Sequence, residues 1–124
     1  MSLCILAGGK TTIMAVSAFT LAWTHSVERT TWEEDWLVTP AGLELVEARI
    51  KGSGAGMEPP DDAILLDGWW VYRPSVPPRK EVTLAASGAT MSGWRLCAEG
   101  HCRALGVQAG ETTRLAACAR DVDQ

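Results

Sequence analysis

Phe19-Thr20-Leu21-Ala22-Trp23-Thr24-His25-Ser26-Val27 alternates large residues with small or polar ones at period two. An extended chain turns successive side chains to opposite faces, so this stretch predicts a half-buried strand carrying Phe19, Leu21, Trp23, His25 and Val27 on one face. Thr31 to Val38 repeats the pattern, with Trp32, Glu34, Trp36 and Val38 together and Glu33, Asp35 and Leu37 opposite. Only Glu28-Arg29-Thr30 separates the two, which predicts a hairpin.

After these two segments, Pro40-Ala41-Gly42 marks a turn. Leu43 to Ile50 follows and suits a strand or a short helix; the strand is the reading taken here. Gly52-Ser53-Gly54-Ala55-Gly56 and Met57-Glu58-Pro59-Pro60-Asp61-Asp62 form a loop too rich in glycine and proline for regular structure. Short strands are expected at Ala63 to Leu66 and Trp69 to Tyr72, joined by an Asp67-Gly68 hairpin turn. A loop from Arg73 to Arg79 carries three prolines, and further strands are expected at Val82 to Ala86, Trp94 to Ala98, Cys102 to Leu105 and Thr113 to Cys118. Many short strands without amphipathic helices between them predict an all-β, single-domain antiparallel β-sandwich or barrel spanning residues 1–124.

The chain has 124 residues, 47% hydrophobic and 21% charged, enough for one core and against disorder. A net charge of −4 offers no basic stripe for phosphates, so nucleic acid is not an expected partner. The apolar-leaning stretch from Ile13 to Trp23 is too short to span a bilayer, and no membrane insertion is expected. Met1 to Lys10 has no basic region ahead of its apolar run, so the expectation is a cytoplasmic chain, or a periplasmic one if its N-terminus is processed or truncated.

Cys97 and Cys102 enclose Ala98-Glu99-Gly100-His101, a hairpin loop across which a disulfide could close. In a reducing compartment two free thiols on adjacent strands are the favoured reading, and in the periplasm the disulfide is. Cys4 and Cys118 lie near opposite ends. Gly8-Gly9-Lys10-Thr11-Thr12 ends like a phosphate-binding loop, but Cys4 stands where the first glycine is required, and a hairpin explains the glycines better.

His25 and Glu34 each sit on a face otherwise held by Trp, Phe, Leu and Val, and the short turn would set them roughly opposite one another. Such a pair could satisfy itself in the core, act as a general base or contribute to a metal site. Glu28, Glu47 and Glu58 are further oxygen donors, and a divalent cation is the cofactor such a set would take; no other cofactor is expected. Six tryptophans could line a pocket, although strand positions favour core packing for Trp23, Trp32, Trp36 and Trp94. Trp69-Trp70 must send one ring outward.

Trp23-Thr24-His25-Ser26-Val27-Glu28, Trp32-Glu33-Glu34, Glu47-Ala48-Arg49, Gly52 to Pro60 and Trp94-Arg95-Leu96-Cys97, in that order, resemble the domain of unknown function 1850 family from about Leu3 to Cys102. The resemblance implies a small bacterial protein encoded beside TRAP transporters of the TAXI type, which import carboxylate-like solutes. It implies an accessory or binding role, without an established reaction, with a transporter component or its solute as partner. Some members of the family carry an N-terminal membrane anchor, which this chain does not show. The matching positions are His25, Ser26, Glu28, Glu34, Gly54, Gly56 and Met57, with Glu47 and Glu58 as neighbouring candidates.

Overall fold

The computed structural model describes residues 1–25, 30–51, 60–85, 91–105 and 112–119, with the backbone alone at His25, Ala85, Met91 and Ser92. Among them are eleven strands: β1 (Ser2–Ala7), β2 (Lys10–Met14), β3 (Ala18–His25), β4 (Thr30–Thr39), β5 (Gly42–Lys51), β6 (Ile64–Leu66), β7 (Trp69–Tyr72), β8 (Glu81–Ala85), β9 (Met91–Ala98), β10 (His101–Leu105) and β11 (Thr112–Cys118). They form a four-stranded sheet, β2-β1-β11-β8, and a seven-stranded sheet, β10-β9-β3-β4-β5-β7-β6. Every pairing is antiparallel. The fold is thus an all-β sandwich, and the barrel alternative falls because the two sheets remain separate.

The sheets meet over a core in which Leu3, Ile5, Leu84 and Leu115 of the smaller sheet face Phe19, Leu21, Trp36, Leu43 and Leu96 of the larger. The alternation in β3 and β4 therefore selects the buried face as expected. Phe19 pairs with Trp36, Leu21 with Glu34 and Trp23 with Trp32 across the two strands.

In the β4–β5 pairing the register shifts between Asp35 and Trp36 of β4, so that Asp35 pairs with Glu47 while Trp36 pairs with Leu45. Val46 is the extra residue of a bulge. Leu43 and Leu45 face inward before it, and Ala48 and Ile50 after it, so the apolar spacing changes from two to three. That single step gives the segment its helix-like look in sequence.

Residues 73–80 cross from the large sheet to the small one. Pro74, Pro77 and Pro78 lack backbone N–H groups, which keeps this segment out of a regular ladder. One bridge holds it: Leu43 N–H donates to the Arg79 carbonyl at 2.7 Å and Arg79 N–H to the Leu43 carbonyl at 2.9 Å. Gly42, at φ +127°, lies so close to the Arg79 backbone that a Cβ there would strike the carbonyl.

All four cysteines are paired. Cys4–Cys118 joins the strand at each end of the chain, and Cys97–Cys102 closes the β9–β10 hairpin. The disulfide that the spacing of Cys97 and Cys102 allowed is formed: the Glu99-Gly100 turn, with φ of 50° and 82°, sets the two residues directly opposite one another. No helix of the described residues is long and apolar enough to cross a membrane.

Candidate functional site

Antiparallel register lines up the inward-facing residues of the large sheet in two rows. One row runs Trp94, Trp23, Trp32, Ile50, Trp70; the next runs Leu96, Leu21, Glu34, Ala48, Tyr72. The Trp23 ring stacks on Trp32 at 5.9 Å between centroids and tilts against Trp94 at 4.6 Å. Such contacts add to area burial and hold the indoles in fixed orientations.

Beside these rows the sheets part around a cavity of about 850 Å³. That volume is of the size small-molecule sites commonly have. Trp23, Glu34, Trp36, Leu45 and Trp94 form its wall on the large sheet, and residues 76–84 form the facing wall. Prolines supply part of that second wall, and the Leu43–Arg79 bridge sets its distance from β5.

Glu34 is the charged residue on the interior wall. Its Oε1 accepts a hydrogen bond from Trp36 Nε1 at 3.1 Å, a geometry open to residues two apart on one strand face. Burial pushes its carboxyl above the usual range, while the Trp36 hydrogen bond and the Arg79 charge act in the opposite direction. Tyr72, beyond the small Ala48 in the same row, is raised too, by burial first and then by the Glu34 charge. Trp32 Nε1 is buried with no hydrogen-bond partner among the described residues.

The outer face carries different chemistry. Arg49 Nε meets Glu33 at 3.0 Å, its two terminal nitrogens meet the two Asp35 oxygens at 2.8 and 3.0 Å, and Nη1 also meets Glu47 at 2.6 Å. Thr20 Oγ1 donates to Asp35 at 2.8 Å. The Arg49 hydrogen bond holds the Asp35 carboxyl below its usual range, and the carboxylates raise the Arg49 guanidinium further. This network satisfies its own charges and braces β3, β4 and β5.

Two expectations about the site need correction. His25 pairs with Thr30, and Glu34 with Leu21, so Glu34 stands opposite a position four residues along β3 from His25. The direct cross-strand pair is not formed, because the register sets Thr30 opposite His25, four residues short of Glu34. Glu47 faces outward to Arg49, on the side of the sheet away from Glu34, because the bulge at Val46 fixes its parity. Ser26, Glu28, Gly54, Gly56, Met57 and Glu58 lie outside the described residues, as does the side chain of His25. Among the described residues, no group of three or more His, Cys, Asp or Glu is placed to hold a metal ion.

Arg79 and the Arg49 network were not singled out from sequence. Arg79 is a loop residue brought to the cavity by a partner far away in the chain. The network did leave a trace: Glu33 and Asp35 alternate on one strand and Glu47 and Arg49 on the next, the pattern of a cross-strand charge pair.

The fold and cavity define a two-sheet β-sandwich domain with an aromatic pocket between its sheets that carries one carboxylate, Glu34, on its large-sheet wall. The family described as Domain of unknown function (DUF1850) matches residues 19–105, and the chain belongs to it. The cavity wall lies within that span, whereas β1, β2 and β11 lie outside it. No curated protein and no solved structure matches the chain.

Proposed function

We propose that this is a non-enzymatic accessory or binding domain of TRAP-type (TAXI) solute uptake, which holds a small ligand between its sheets. The observation that carries the reading is Glu34. It is an inward carboxyl with one hydrogen bond, from Trp36, and no ion pair among the described residues. Burying such a group costs stability unless it is paired, and a bound ligand offsets that cost. The surrounding indoles offer broad contact area with little entropy to lose.

The compartment we propose is an oxidising one, outside the cytoplasmic membrane. Two disulfides with no free cysteine favour it, since reducing compartments keep thiols reduced. The transporter contact is proposed at the edge beyond β7. There Ile64, Leu65 and Leu66 are each more than half exposed, shortly after the glycine- and proline-rich sequence of residues 52–62. Apolar edge strands recruit other chains unless covered.

Copurification of the oxidised domain with the subunits of a cognate transporter tests this. Retention of a subunit by the wild type, lost on Leu65→Lys, is the expected result. No retention by either protein would remove the transporter role.

A further inference from the structure

The charges around the cavity are arranged by depth, and the arrangement specifies an occupant. Glu34 lies on the interior wall among Trp23, Trp36 and Trp94. Arg79 and Lys80 line the same cavity from the crossing segment and are exposed to solvent. Glu81 beside them is already engaged by Arg114 at 3.6 Å. A carboxyl deep in the pocket and two cations at its mouth therefore face a common space, and Arg79 and Glu34 do not form a salt bridge with each other.

We infer that the cavity takes a small zwitterion of the amino-acid type, with its ammonium group against Glu34 and the indole faces and its carboxylate toward Arg79 and Lys80. The ammonium end gains twice. A carboxylate in a poorly solvated wall forms a charge-assisted hydrogen bond with it, and tryptophan faces attract cations through their ring quadrupoles. The Arg79 charge helps keep Glu34 ionised for that contact. A purely anionic occupant would set its charge or its apolar tail against Glu34, and a purely cationic one would pass two like charges at the mouth. The inference rests on the cavity being the binding site of the proposed function and adds the ligand class.

Three probes of similar length separate the ends: 4-aminobutyrate, n-butylamine and butyrate, each titrated into the oxidised full-length chain while the indole N–H resonances are followed by NMR. The zwitterion is expected to shift Trp23, Trp36 and Trp94 saturably and to bind roughly tenfold tighter than either single-charge probe, as one charge-assisted hydrogen bond would give. Glu34→Gln is expected to abolish butylamine binding and to leave butyrate binding no weaker than in the wild type. Should that variant not fold, the wild-type comparison of the three probes decides alone. Butyrate binding as tightly as the zwitterion, butylamine doing so, or no saturable shift with any probe would each overturn the inference. Copurification with the transporter is independent of these titrations, so a domain that retains its partner but ignores zwitterions loses only the ligand class.

Discussion

Trp36 Nε1 donates to Glu34 Oε1 at 3.1 Å, from two residues further along the same strand and on the same inward face. The pair ties the most deeply placed charge of the cavity to the core, because Trp36 also stacks on Phe19 with ring centroids 6.3 Å apart. Trp36→Phe keeps most of the apolar area and removes the donor. A buried acceptor left unsatisfied costs about 1–3 kcal/mol, so the urea midpoint should fall accordingly. An unchanged midpoint would mean that Glu34 finds another donor.

Glu34 also fixes a sign for the pH dependence. Its folded-state carboxyl is raised, so the folded state holds the proton longer than the unfolded chain. Its contribution favours folding below the ordinary glutamate range and is lost as pH rises from that range through the raised value. Glu34→Gln should therefore be more stable than wild type near neutral pH, with the difference closing in acid. Paired denaturation curves across that window check it.

Arg49 acts in the opposite sense on the outer face. Asp35 is lowered by its bonds to Arg49, so that pairing stabilises the fold above the ordinary aspartate range and is lost as pH falls through the lowered value. Arg49→Gln leaves Glu33, Asp35 and Glu47 without their shared cation. With the Arg49 side chain 21% exposed, a cost of roughly 1–2 kcal/mol is expected near neutral pH and less in acid. Arg49→Lys should recover only part, since a lysine cannot reproduce the fork on Asp35.

The two disulfides should differ in worth because they close loops of very different length. Cys4–Cys118 spans 114 residues of sequence and Cys97–Cys102 spans 5. Chain-entropy estimates give about 5 kcal/mol for the first and about 2 kcal/mol for the second. Replacing each pair by serine and comparing denaturant midpoints tests the ranking; equal losses would contradict it.

Gly42→Ala should damage the pocket as well as the fold. The residue needs a positive φ, and a methyl group there meets the Arg79 carbonyl. A destabilisation of about 1–3 kcal/mol is expected, with loss of the protected Arg79 amide in hydrogen exchange.

The strands from β3 onward were legible because local alternation decides which face is buried, and Phe19 to Val38 states that alternation twice, whereas β1 and β2 were not among the strands expected. The turns at Asp67-Gly68 and Glu99-Gly100 were legible for the same local reason, as two-residue turns need a positive φ. What lay out of reach was non-local. Cys4 meets Cys118 only because β1 and β11 are neighbours, and Arg79 reaches the cavity only through Leu43. Glu34 was found as a charge on an apolar face, but its partner could not be: alternation alone does not fix the register of β3 on β4, and a shift of four residues decides whether it stands opposite His25 or Leu21. The bulge at Val46 likewise reverses the face of every residue beyond it, which is why Glu47, named as a further oxygen donor, faces away from Glu34.

The most direct measurement is thermal melting of the oxidised chain with a solute carried by its cognate transporter, set beside chelator and single divalent cations, for wild type and Glu34→Gln. A ligand of the native state at a hundred times its dissociation constant adds about 2.7 kcal/mol, a rise of several degrees in a domain of this size. The cavity reading predicts that rise with solute in the wild type and its loss in the variant. No rise with any solute, or a rise with a divalent cation alone that His25→Ala removes, would contradict it and move the site to a metal held by His25.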